Sequence, residues 1–163
     1  MTIPWHTFTR SIVCILALLA SIISGCAHDT YQERADIMKN HSKAFYAHLK
    51  AHRVEAAVHE NQKIEAMADQ MAETVRKRAQ LQGTTHVERE FALMKTARET
   101  SAQNWIALGQ YFAIKQQPDK ARASYQRVVD SYTNPAEQAY REQAARALKD
   151  FDIVSPAPNR MTP

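Results

Sequence analysis

What most constrains this chain is its shortage of helix breakers. No proline falls between Pro4 and Pro118, and glycine occurs only at Gly25, Gly83 and Gly109. Ala, Glu, Gln, Lys, Arg and Met dominate that span, and these side chains lose little freedom in a helix. No alternation of apolar and polar residues is sustained long enough to make a strand. The sequence therefore predicts an all-α fold of antiparallel helical hairpins. Thr30 and Glu33 form a capping-box pattern ahead of a helix over about 31–50, with Ala35, Met38, Phe45 and Leu49 on its apolar edge. A second helical stretch covers about 54–80, with Val54, Val58, Ile64, Met67, Ala68, Met71 and Val75 near one face. Ala51-His52-Arg53 between them holds neither Gly nor Pro. It is read here as a tight turn, with one continuous long helix as the alternative.

Gln82-Gly83-Thr84-Thr85 is the clearest interior break, because Gly83 suits a left-handed helix end. Thr85 and Glu88 repeat the capping-box pattern. Val87, Phe91, Met94, Trp105, Leu108 and Phe112 then follow helical spacing from about residue 86 to 116, as one long helix or two joined near Ser101. Pro118 closes that segment, since the residue before proline avoids helical angles. A fourth helix is expected over 119–132. A fifth should start at Pro135, which suits a first helical turn, and end near Phe151. Residues 153–163, rich in proline and polar groups, read as a disordered tail.

The first 25 residues belong to none of this. A polar start with a single cation, Arg10, precedes an apolar run over 11–23, a length that suits a secretory signal and is short for a membrane span. Ile23-Ser24-Gly25-Cys26 follows at once. This tetrapeptide resembles the lipobox of bacterial lipoproteins. The resemblance implies removal of residues 1–25, diacylglycerol and N-acyl groups on Cys26, and a tether over 26–30. An ordinary cleaved signal and an uncleaved anchor are the alternatives. Ala27 stands where an Asp tends to retain such proteins in the inner membrane, so the resemblance implies the periplasmic face of the outer membrane, where there is one. Cys14 and Cys26 are the only cysteines, so the expected mature domain has no thiol for a disulfide or a metal.

A second constellation lies at 104–135. Trp105, Leu108, Gly109 and Phe112 share one face, and Ala121, Tyr125 and Val128 share the next, with a turn between them short enough to require antiparallel helices. The spacing resembles the tetratricopeptide repeat, W-x₂-L-G-x₂-Y…A-x₃-F…P. Phe112 and Tyr125 exchange the usual Tyr and Phe, and Pro135 comes two residues late. The resemblance implies an α-solenoid fragment over 101–152, made of one repeat and a capping helix, beside a helical region over 31–100. Its repeat core would be Trp105, Leu108, Gly109, Phe112, Ala121 and Tyr125. A weaker echo runs from Leu49 to Val58, with Ala57 in the small position. A plain helical hairpin is the alternative there.

In this family partners bind a concave face lined by the first helix of each pair. The resemblance thus implies a groove of Gln103, Ile106, Gln110, Ala113 and Ile114. Ile106 and Gln110 occupy positions where carboxylate-clamping repeats carry Lys and Asn, so an apolar or mixed peptide is expected instead. The layout is similar to repeat lipoproteins that serve as pilotins or in barrel-protein assembly, which implies a protein-binding adaptor with a partner in the cell envelope. A rival reading comes from His41, His48, His52 and His59, spaced seven, four and seven residues apart. On one continuous helix His48 and His52 would sit a turn apart and could chelate zinc. No nucleophile elbow, phosphate loop or dinucleotide fingerprint occurs, so neither catalytic activity nor a dissociable cofactor is expected. The net charge of +4 is interleaved with acids along helical faces, without a basic stripe of stacking aromatics, and nucleic acid is not expected as a partner.

Overall fold

The computed structural model describes residues 30–82 and 87–154. The chain divides into two compact units, Met1–Arg34 and Ala35–Pro163, and the architecture below is that of the second. The signal segment 1–25, Cys26 with residues 27–29 of the tether, Gly83, Thr85 and the tail from Ser155 lie outside the described residues.

Among the described residues there are five α-helices and no strand: α1 (Thr30–Lys50), α2 (Val54–Gln82), α3 (Glu88–Ile114), α4 (Pro118–Ser131) and α5 (Gln138–Val154). A 3₁₀ turn, Pro135–Glu137, leads into α5. The all-α expectation holds. Packing follows chain order: α2 lies on α3, α3 on α4, and α4 on α5, with α3 also touching α5. One apolar cluster runs through the layers, from Phe45 of α1 and Ala57 of α2 through Trp105 and Leu108 of α3 and Val128 of α4 to Ala144 of α5.

The 51–53 segment is a turn. Arg53 N–H donates to His48 C=O at 2.9 Å and His52 N–H to Leu49 C=O at 3.1 Å, with His52 at a φ of 59°. This is a helix end closed through a left-handed residue, without the usual glycine. The α3–α4 turn repeats it: Gln117 N–H donates to Phe112 C=O at 2.9 Å, Gln116 N–H to Ala113 C=O at 3.1 Å, and Gln116 has a φ of 55°. The two turns thus superpose in hydrogen-bond pattern with an offset of 64 residues, from His52 to Gln116. Applied to the helices, the same offset sets Ala57 opposite Ala121, both fully buried, and pairs Phe45 with Gly109 and Asn61 with Tyr125.

Gly109 is required by its neighbour. A Cβ added there would come within 2.6 Å of Tyr125 Cε1, closer than real atoms approach. The glycine lets α4 close onto α3 with the phenol ring filling the gap. In the first hairpin bulk is exchanged across the interface, with Phe45 on the first helix and Asn61 on the second.

Five readings of the elements are resolved or shifted. α3 is continuous across Ser101, the one-helix alternative, so residues 100 and 101 lie in the same helix. Ser101 itself is fully buried, because it lies between layers and not at a surface joint. The buried face of α2 centres on Ala57, Asn61, Ile64, Ala68 and Met71, rotated from the Val54–Val58–Met67 line, whose members are only partly covered. On the first half of α3, Leu93 and Ala97 are buried in place of Phe91. The helix begins at Glu88, with Val87 at its N-cap and no side-chain cap. α5 also runs to Val154, so residues 153 and 154 of the expected tail are helical.

Candidate functional site

A concavity of about 290 Å³ opens on one side of the bundle, lined by Tyr46, Gln103, Ile106, Ala107, Gln110 and Gln143. These residues come from alternate helices: Tyr46 from α1, the middle four from α3, and Gln143 from α5. The arrangement follows from packing in chain order, which sets every second helix on the same side. Gln103 Nε2 donates to Tyr140 Oη at 3.2 Å, tying α3 to α5 beside the opening. Tyr46 packs edge-on against Phe45 with ring centroids 5.0 Å apart, and partial burial raises the pKa of its phenol. No residue lining the concavity carries a formal charge. Its chemistry is that of three side-chain amides, one neutral phenol and an apolar floor, a set that matches uncharged hydrogen-bonding groups.

The five residues assigned to a groove do not form one wall. Gln103, Ile106 and Gln110 line the concavity, and both glutamines are exposed. Ile106 is a correction. It is 4% exposed and belongs to the central cluster, because α1 and α5 close over that turn of α3, so it supplies floor and not reachable surface. Ala113 lines a different hollow of about 760 Å³, formed with Gln116, Pro118, Tyr125, Ala147, Asp150 and Phe151. Ile114 lies in neither of these and is 79% exposed. The six repeat-core residues Trp105, Leu108, Gly109, Phe112, Ala121 and Tyr125 are all buried.

The histidine stripe is broken. His48 lies in the last turn of α1 while His52 lies in the turn that follows, at positive φ, so the two do not share one continuous helix as an i,i+4 chelate requires. His52 Nδ1 instead meets Tyr111 Oη at 2.9 Å, and His41 Nδ1 meets Glu60 Oε2 at 2.5 Å. His48 Nδ1 is buried without a hydrogen-bond partner. Among the described residues no three His, Cys, Asp or Glu side chains are grouped to hold a metal ion. Among the same residues no helix is long and apolar enough to cross a membrane.

A buried polar network went unread in the sequence. Asn104 Nδ2 donates to Asn61 Oδ1 at 2.8 Å, and Asn61 Nδ2 donates to Ser101 C=O at 3.2 Å. Tyr132 Oη donates to Glu65 Oε1 at 2.8 Å and lies 2.8 Å from Ser101 Oγ, which donates to it. Trp105 Nε1 donates to Glu65 Oε1 at 2.8 Å, and Arg127 holds Glu65 Oε2 at 2.9 Å with its guanidinium 4.3 Å from the Trp105 ring centre. Burial raises the Tyr132 phenol pKa well above its usual value, and the Glu65 carboxylate adds to the shift. The signal was present: Asn61 interrupts the series Ala57, Ile64, Ala68, Met71, and Ser101 and Asn104 interrupt Ala97, Leu108, Phe112. A polar residue inside an apolar helical series needs a buried partner.

No family model, curated protein or solved structure matches this chain.

Proposed function

We propose that this chain is an exported lipoprotein, acylated at Cys26, whose tetratricopeptide-like helical domain binds a protein partner of the cell envelope, without catalysing a reaction. The observation that carries the reading is the concavity lined by α1, α3 and α5. A stack of hairpins joined by matching turns exposes the first helix of each pair on one side, as solenoid repeats do. Gln103 and Gln110 stay exposed there, and Tyr46 is 48% exposed, so they are available to a segment laid across the helices. The neutral lining supports a partner segment recognised through main-chain amides and small side chains. The broken histidine stripe gives the metal-binding alternative no support.

Site-specific photo-crosslinking tests the reading. A benzophenone side chain in place of Gln110 should capture an envelope protein. The same group in place of Ala123, exposed on α4, should not. Capture from Ala123 alone, or from neither position, would remove the concavity as the binding site. Acylation is tested separately by mass spectrometry and labelled palmitate, both of which should report lipid on the wild-type chain and none on Cys26→Ser.

A further inference from the structure

α2 and α3 run on beyond the helices that cover them. The carbonyl of Ser131, the last residue of α4, accepts from Arg98 Nη2 at 2.9 Å, and Glu137 at the head of α5 pairs with the same arginine at 2.6 Å. α4 and α5 therefore reach along α3 only to about Arg98. The segment Glu88–Ala97 and the stretch of α2 opposite it project past them by about 15 Å, at the rise of an α-helix. Arg78 and Glu90 pair across this projecting hairpin. Val87 and Leu93 are buried in it, yet Leu81 is 83% exposed and Phe91 50% exposed. Arg76, Lys77 and Arg78, all exposed, lie on the same end of α2, where Arg76 and Lys77 share the exposed carboxylate of Glu73 in ion pairs open to exchange with other anions.

Within the second unit, the part of α1 nearest Ala35 lies toward this end. His41 meets Glu60 across the α1–α2 hairpin, so Ala35, six residues before His41, is level with about Ala66. From there α2 continues to Leu81, a further distance of about 22 Å. With Thr30–Ala35 helical and the four residues before it extended, the chain from Cys26 to Ala35 can span about 21 Å. A lipid on Cys26 is therefore within reach of the plane at which the hairpin ends.

We infer that the end of the α2–α3 hairpin, through Leu81 and Phe91 flanked by Arg76, Lys77 and Arg78, rests on the bilayer that holds the lipid of Cys26. The inference builds on the lipoprotein reading above. Exposed apolar side chains beside cations suit the boundary between acyl chains and anionic headgroups. Two apolar residues would not hold a free protein at a membrane, but the anchor makes their contact intramolecular and raises its effective concentration. The bundle then stands end-on, with Gln103 and Gln110 about 25 to 35 Å from the hairpin end along α3.

The test uses the full chain extracted from membranes and reconstituted in vesicles of phosphatidylcholine and phosphatidylglycerol that include brominated lipid. Mass spectrometry first reports acylation of Cys26. Leu81→Trp should then be quenched by half or more and blue-shifted, after subtraction of the emission of the unsubstituted chain, while Ala123→Trp on α4 should be unaffected. Tryptic cleavage after Arg76, Lys77 and Arg78 of the unsubstituted protein should be slower on vesicles than in detergent. An acylated protein in which Leu81→Trp is unquenched, or quenched no more than Ala123→Trp, overturns the membrane contact and leaves the lipoprotein reading standing. So does unchanged cleavage of the acylated chain. A chain that is not acylated at Cys26 overturns both.

Discussion

Alanine at position 109 sets two effects against each other. Replacing Gly109 gains about 1 kcal/mol of helix propensity. The new methyl meets the Tyr125 ring at 2.6 Å, so the buried ring must shift toward the hollow it lines. Overpacking of this kind costs about 1–3 kcal/mol, so Gly109→Ala should be destabilising overall by up to about 2 kcal/mol in urea titration. In a Tyr125→Leu background the same change should cost less, and an equal cost in both backgrounds would locate the strain elsewhere. Tyr132→Phe is a second case in which the sign is set by what is left behind. The ring volume stays, but Ser101 Oγ loses its acceptor and Glu65 loses a donor. About 1–3 kcal/mol should be lost, the usual consequence of stranding a buried polar group.

The two turns closed by His52 and Gln116 spend backbone energy that glycine would not. A left-handed conformation costs a residue with a Cβ about 1–2 kcal/mol. Gln116→Gly should stabilise the fold by about 0.5–1 kcal/mol after the added entropy of the unfolded chain is counted, measured by thermal and urea unfolding. His52→Gly should gain less, because it also removes the contact with Tyr111. These turns show how far the sequence could be read. The helices were legible because their apolar residues recur at three and four and because Pro118 punctuates them. The short α1–α2 turn was legible only as an interruption: a histidine at positive φ leaves no compositional mark where glycine would. The repeat-like spacing drew attention to Gly109 and Tyr125. It placed Ile106 at an open surface because covering by α1 and α5 is a fact of packing order, which spacing along α3 does not encode. Gln143 and Tyr46 were missed as lining residues for the same reason, since each is contributed by a helix distant in sequence.

Taken as a whole, the domain should have a stability plateau bounded by two ionisations. Glu60 has its pKa lowered by hydrogen bonds from Lys63 and His41, against an ordinary value of 4.5. Its contribution is present above the unfolded value and fades as the pH falls through the lower native one. Tyr132 has its pKa raised from 10.0 by burial. The unfolded phenol ionises first, so stability is intact below pH 10.0 and declines as the pH rises beyond it. Glu60→Gln should flatten the acid limb of a stability–pH curve, and Tyr132→Phe the alkaline limb. A curve unchanged by either would mean that other groups set the limits.

The ladder from Asn61 through Asn104 and Ser101 to Tyr132 has a consequence for order as distinct from strength. Alanine-rich helices offer one another smooth surfaces, and smooth surfaces tolerate sliding. A helix displaced by one turn would leave two amides and a hydroxyl dry and unmet, so only one alignment of α2, α3 and the end of α4 satisfies every group. Apolar replacement of a buried polar pair is often neutral or stabilising by bulk measures. Asn61→Leu with Asn104→Leu should therefore keep or raise the urea midpoint while the amide resonances of the α2–α3 interface broaden, the behaviour of helices that stay packed but no longer agree on where to stop.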